Sequence, residues 1–294
     1  MKTIAIGLAF LATIGLLAAG CQTAGPQVRI SKEQAAEADL DLSGGIAVDG
    51  AGSVYATTPG GVIRYEPKTN KIENLLIDPC SDIRDVALTS DGVVLVLRKR
   101  ELSACVAGYL VSLYSLPDDG LAVSCDRDLA YVLTARGQGA RLLRIALSGA
   151  NKGSQQTLLA TEDRPRALCG VRGGCLVASG GNVFKVSDPA PAATGGENQV
   201  ATVLLAAIQE PVLSVAADQN KLIVYFATAD TTYSWIEGQI VPIFPAGSRL
   251  AWAKDTLTIC RPAKPGQVIQ IPAVSKHTEG LLKQLQKGTS GGSG

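Results

Sequence analysis

The sequence predicts an all-β fold, a six-bladed β-propeller followed by a short C-terminal helix. Three observations carry that prediction. The stretch Gly44 to Pro67 reads as strand, turn, strand, turn, strand, because apolar and β-branched residues alternate between the turn formers Asp49-Gly50-Ala51-Gly52 and Pro59-Gly60-Gly61. Short apolar runs of the same kind recur: Ile46-Ala47-Val48, Val86-Ala87-Leu88, Leu121-Ala122-Val123, Ala167-Leu168-Cys169, Leu213-Ser214-Val215 and Leu250-Ala251-Trp252. Their first residues lie 40, 35, 46, 46 and 37 positions apart, near the repeat length of a propeller blade. The composition, with 32 Gly and 4% aromatic residues, suits many short strands with small side chains between sheets. A single four-stranded meander cannot bury both of its faces, so each unit must stack on copies of itself.

From the N-terminus, Met1-Lys2 is followed by an apolar run from Ile4 to Ala19, too short for a membrane span and right for the core of a signal peptide over residues 1–20. Leu17-Ala18-Ala19-Gly20-Cys21 resembles a bacterial lipobox, which implies cleavage before Cys21 and lipidation of that cysteine. Gln22, not Asp, follows it, and by resemblance to enterobacterial lipoprotein sorting the address is the outer membrane, facing the periplasm, with the cell surface as the alternative. Residues 21–43 form the lipidated cysteine and a linker. Within them Val28 to Ile30 has strand character, and Ser31-Lys32-Glu33-Gln34 predicts a capping box opening a short helix through Leu40.

Residues 44–274 form the propeller. Each inner strand ends in a polar turn, such as Ser90-Asp91-Gly92 or Arg172-Gly173-Gly174, and a second strand follows. The second unit looks short of an outer strand, since Tyr109 to Leu116 runs almost directly into Leu121. The sixth also lacks one, and Val28 to Ile30 would close the ring there, protecting an open edge. Residues 275–294 are the predicted helix, with Leu281, Leu282 and Leu285 on one face, and a flexible Gly/Ser tail. The first unit, Gly-Ile-Ala-Val-Asp, Gly-x-Val-Tyr-x-Thr and Gly-Val-x-Arg-Tyr-x-Pro, resembles the repeats of NHL-type and gluconolactonase-type propellers. Gluconolactonase resemblance implies a divalent metal at the pore, held by a Glu opening the first inner strand, an Asn and an Asp. Here Gly44-Gly45 stand in place of the Glu, and the Pro-Asn-Gly tripeptide around the Asn is absent, so no metal or other cofactor is expected.

Beyond Cys21 the chain has Cys80, Cys105, Cys125, Cys169, Cys175 and Cys260, an even number in an exported protein. Disulfides are expected, Cys169 with Cys175 across the Arg172-Gly173-Gly174 hairpin and, more weakly, Cys80 with Cys105. No Cys-x-x-Cys occurs and the single histidine, His277, lies outside the repeats, which argues against zinc and against a Ser-His-Asp or Cys-His centre. Charged residues are 18% of the chain and the formal net charge is +1, with no basic footprint for nucleic acid. Aligning the inner strands places Arg84, Arg166 and Arg249 where those strands begin in the second, fourth and sixth units, an electropositive ring suited to a carboxylate or phosphate. The alternative is that each pairs with a nearby carboxylate, Asp82 or Asp85, Asp163 and Asp119. The function these features favour is a lipid-anchored, non-catalytic scaffold for another envelope protein, with small anionic ligand or glycan binding at the arginine-lined pore second and a lactonase-type hydrolase third. Oligomeric state is not legible.

Overall fold

The structure is a computed structural model that describes residues 35–38, 42, 44–78, 82–189, 200–245, 248–261 and 266–290, with 35–38 and 284–290 described by backbone alone. The strand β1 (Ala35–Ala38) precedes blade 1, which comprises β2 (Ile46–Val48), β3 (Val54–Thr58), β4 (Gly61–Glu66) and β5 (Lys71–Ile77). Blade 2 is β6 (Ile83–Leu88), β7 (Val94–Arg98), β8 (Glu101–Val106) and β9 (Tyr109–Ser115). Blade 3 is β10 (Gly120–Asp126), β11 (Leu129–Arg136), β12 (Gly139–Ala146) and β13 (Gln155–Thr161). Blade 4 is β14 (Ala167–Val171), β15 (Gly174–Ser179), β16 (Asn182–Ser187) and β17 (Thr202–Ala207). Blade 5 is β18 (Ser214–Asp218), β19 (Ile223–Ala227), β20 (Thr231–Ile236) and β21 (Gln239–Pro245). Blade 6 has only β22 (Arg249–Ala253), β23 (Thr256–Arg261) and β24 (Gly266–Pro272), and α1 (Val274–Ser290) follows it. Every sheet is an antiparallel meander of four strands, and β1 supplies the fourth strand of blade 6, pairing Ala35 with Ile269 and Ala38 with Gly266.

The blades stack through apolar faces. Between blades 2 and 3 lie Leu95, Leu97, Leu102, Val132, Leu143 and Ile145, and between blades 5 and 6 lie Ile223, Tyr225, Ile243, Leu257, Ile259 and Ile271. A shared irregularity sets the sheet twist. In blades 1 to 5 the ladder between the third and fourth strands skips one residue, Leu75, Leu113, Leu158, Leu205 and Ile243 in turn. Such a bulge increases local twist and re-aims the extra side chain, and each of these residues packs against a cluster between blades. Gly61, at φ 139°, opens β4 where an added Cβ would lie 1.9 Å from the Leu76 carbonyl oxygen, so only glycine fits the first hairpin there.

Helix α1 is capped by Asp255, whose carboxylate accepts the Ser275 amide at 3.1 Å. Its Val274, Leu281 and Leu282 join the cluster between blades 5 and 6, beneath the ring as the apolar face predicts. Side chains beyond Lys283 are not described.

Four expectations need correction. Blade 2 is complete, since Tyr109 to Ser115 is itself the outer strand. Its partner β8 escapes notice because the joining turn, Ala107-Gly108, has φ of 50° and 84° without the Asn or Asp that usually marks such a turn. Ala35 to Ala38 is extended rather than helical, because the open edge of β24 offers a ladder that outweighs local helix preference. Ring closure from the N-terminus therefore holds, but through β1, and Val28 to Ile30 lie outside the described residues. The disulfides do not form: among the described residues Cys105, Cys125, Cys169, Cys175 and Cys260 are free thiols. Cys169 stands opposite Leu176 while Cys175 stands opposite Gly170, so the two sulfurs point to opposite faces of blade 4. Cys169 accordingly packs toward blade 5 and Cys175 toward blade 3. Cys105 faces blade 1, its Sγ 3.6 Å from the Leu75 carbonyl oxygen, and Cys80 lies outside the described residues. Burial pushes the Cys125, Cys169 and Cys260 thiols up to about 12, which makes them inert packing groups.

Deleting residues 35–38 removes a four-residue ladder worth roughly 1 kcal/mol per net hydrogen bond, and should lower Tm by on the order of 5–10 °C. Differential scanning calorimetry of the truncated protein checks this; an unchanged Tm would show that β1 does not hold the ring. Leu158→Ala, at a buried bulge, should cost about 2–5 kcal/mol in urea unfolding.

Candidate functional site

Six inner strands surround the axis with their backbone edges turned to a channel of about 280 Å³. The walls are built from β2, β6, β10, β14, β18 and β22, and the end where these strands begin is here termed the upper mouth. Inner strands of neighbouring blades make no shared ladder, so side chains accept the amides that would otherwise face the channel unpaired. Asp85 accepts the Val123 amide at 2.8 Å, Ser124 the Gly170 amide at 2.8 Å and Ser214 the Leu250 amide at 2.9 Å. Each of these bonds ties one blade to the next.

Arg84, Arg166 and Arg249 all line this channel, one from every second blade, as the alignment of inner strands predicts. Arg84 is the extra residue of a bulge, because the β6–β7 ladder jumps from Ile83 to Asp85. Arg166 is held just ahead of β14 by its amide bond to the Ala178 carbonyl at 2.9 Å, and Arg249 opens β22 opposite Cys260. Arg166 and Arg249 also border a wider basin of about 530 Å³ at the upper mouth, with Arg164, Leu121, Leu213 and Ser248. Arg164 donates to the Gly137 carbonyl at 2.7 Å.

Two of the candidate acidic partners of these arginines bind other cations. Asp82 takes Arg98 at 2.7 Å, and Asp119 takes Arg100 at 2.7 Å and Lys99 at 3.7 Å. Among the described residues no hydrogen bond or ion pair engages the guanidinium of Arg84 or of Arg166. Asp85, the acid beside Arg84 in sequence, is turned into the wall, where its carboxylate also accepts the Val86 amide at 2.9 Å. Burial pushes its pKa up to about 6, against the opposing pull of the two backbone amides and the Arg249 charge.

The metal site that the lactonase resemblance implies does not fit these residues. A Cβ on Gly45 would lie 2.7 Å from the Asp85 Cα, and one on Gly44 would lie 2.6 Å from the Thr57 carbonyl oxygen. No glutamate can stand at either position without displacing backbone. Among the described residues no group of three or more His, Cys, Asp or Glu side chains could hold a metal ion. His277 lies on α1 and does not line the channel. Sequence reasoning missed two features of the site: Asp85 as the link between blades 2 and 3, and Trp252, which lines the channel with a buried Nε1 lacking a hydrogen-bond partner.

No protein-family model and no curated protein matches the chain. Solved structures do. A gluconolactonase from Xanthomonas campestris superposes with TM-score 0.63 at 12% identity, covering 80% of this chain and 88% of that one. Regucalcin, a calcium-binding protein from Agrobacterium tumefaciens, gives 0.60 at 12% identity over 79% and 91%. A chain of a nidogen/laminin complex gives 0.56 at 12% identity over 75% and 88%. Such distant likeness carries architecture and no activity: the chain is a six-bladed β-propeller with the fold of gluconolactonases and regucalcin.

Proposed function

We propose that this protein is a lipid-anchored binding propeller that holds an anionic group of a small molecule, glycan or partner at the arginine-lined upper mouth. The observation that carries the reading is the presence of Arg84 and Arg166 on one channel with no hydrogen bond or ion pair to either guanidinium among the described residues, while Asp82, Asp85 and Asp119 are engaged elsewhere. Guanidinium groups grip carboxylates and phosphates with paired, charge-assisted hydrogen bonds. Binding rather than lactone hydrolysis is proposed because Gly44 and Gly45 leave no room for the acidic ligand that the hydrolase resemblance requires. The anchor rests on the Cys21 motif, which lies outside the described residues, and it would hold the mouth near the outer membrane, facing the periplasm.

A scaffold role for an envelope protein is the second reading, supported by apolar residues on the outer strands of blades 1 and 2. Ile77 is 75% exposed and Tyr109 76%, and Ile72 and Val111 are exposed on the same two strands, β5 and β9. A photo-crosslinker at Tyr109 that captures one envelope protein reproducibly in cells, while one at Arg84 captures none, would favour that reading over the mouth.

Calorimetric titration with a trisulfonated arene tests the anion site. Arg84→Gln and Arg166→Gln should each weaken binding about tenfold, since one hydrogen bond to a charged group is worth roughly 1.5–3 kcal/mol; unchanged affinity in both would overturn the proposal. A pH dependence follows from Asp85. Its folded pKa is raised, so the carboxyl takes up a proton as pH falls through about 6 and the mouth gains one positive charge. The probe keeps its charge over this range, and its affinity should therefore rise on acidification in the wild type and change little in Asp85→Asn.

A further inference from the structure

A second cavity, of about 170 Å³, lies between blades 4 and 5 beside the β14–β15 and β18–β19 turns, at the end opposite the upper mouth, and adjoins the channel at Ala217 and Gln219. Its blade 4 wall carries Leu176 and Lys185, which are register partners on β15 and β16 and therefore share a face, together with Leu205, the bulge residue of β17. Its blade 5 wall carries Val224 and Trp235, register partners on β19 and β20. Three features distinguish this cleft from ordinary packing between blades. The Trp235 Nε1 is buried and has no hydrogen-bond partner, a donor whose desolvation goes uncompensated at a cost of roughly 1–3 kcal/mol. Arg172, in the β14–β15 turn, and Lys185 stand at the cavity with no hydrogen bond or ion pair to either side chain among the described residues. The one carboxylate on the lining, Asp218, is already saturated by the Asn220 amide at 2.9 Å, the Lys221 amide at 3.3 Å and the Ser275 hydroxyl at 2.5 Å. Leu222, 68% exposed and at φ 55°, also borders the cavity and adds an uncovered apolar side chain.

We infer that this cleft is a binding site for a compact apolar carboxylate, an aryl or branched acyl acid. Its hydrocarbon body lies between Leu176, Leu205, Val224 and Trp235, and its carboxylate meets Arg172 and Lys185. The charge complementarity is one-sided: among the described residues neither Arg172 nor Lys185 has a hydrogen bond or ion pair, Asp126 reaches Arg172 only through its longer-range charge, and the lining acid is occupied, so an anion is favoured and an amine is not. The size sets the class. Drug-sized ligands occupy about 300–1,000 Å³, so this cleft takes a fragment-sized acid and excludes a long-chain lipid or a folded peptide. The site shares no arginine with the upper mouth, and the inference stands or falls independently of the anion site there.

The chain has two tryptophans, one at each cavity, and their indole N–H signals give separate reporters in a nitrogen-15 correlation spectrum. Titrating the full-length protein with phenylpropionate should move the Trp235 indole signal saturably and leave the Trp252 signal in place, with Trp235→Phe used for assignment. Arg172→Gln combined with Lys185→Gln should weaken the acid at least tenfold, with the spectrum outside the cleft unchanged. Phenylpropanol, which keeps the ring and lacks the charge, should bind at least tenfold more weakly than the acid. No saturable movement of Trp235, equal affinity for acid and alcohol, or undiminished binding in the double variant would each overturn the proposal. Loss of binding in Arg84→Gln would also overturn it, by placing the acid in the channel.

Discussion

Every blade of this protein has two apolar faces and no means of covering them except another blade. That constraint dictates closure: an open row of six sheets would leave one face of the first blade and one of the last in water. The chain closes the row by borrowing β1 for blade 6, and the cluster containing Leu42, Val54, Tyr65, Cys260 and Val268 then spans blades 6 and 1. Burial supplies the driving force, and the inner strands supply precision. Their backbone edges face a narrow polar channel, and side chains such as Asp85, Ser124 and Ser214 accept amides across the blade boundary. Those bonds fix the inner strands at three of the six blade boundaries, 2 to 3, 3 to 4 and 5 to 6, and so help to hold the strand beginnings in a defined circle.

Closure also determines what the molecule can do chemically. The channel is too tightly walled at blade 1 for the side chain that a lactonase-type metal site would need, since Gly44 and Gly45 lie against Thr57 and Asp85. The same closeness turns Asp85 into a structural acceptor and removes it as a counter-ion for Arg84. Among the described residues the guanidinium groups of Arg84 and Arg166 are thus left without a hydrogen bond or ion pair at one mouth of the ring. In the proposed reading the ring fixes the backbone from which Arg84 and Arg166 reach, so that binding an anion orders two side chains and no loop.

The inner strands were legible because each is a short apolar run ended by turn residues, and Arg84, Arg166 and Arg249 fell into place once those runs were aligned. Other features required the third dimension. Ala35 to Ala38 has no strand signature, and only an unpaired neighbour makes it one. The Ala107-Gly108 turn lacks the residue types that announce a hairpin, so β8 stayed hidden. Cys169 and Cys175 looked paired because hairpin proximity is easily read and register is not; an offset of one residue sent them to opposite faces. The cleft between blades 4 and 5 brings together Arg172, Lys185 and Trp235 from strands of two sheets, a grouping no local pattern encodes.

The central claim is that the upper mouth is an anion site whose charge is set by arginines from alternate blades. Anomalous diffraction from crystals of the protein grown with selenate tests it most directly. A selenium peak within hydrogen-bonding reach of Arg84 or Arg166 at the upper mouth is the result this account requires. An empty mouth with both guanidinium groups turned to acidic partners would contradict it.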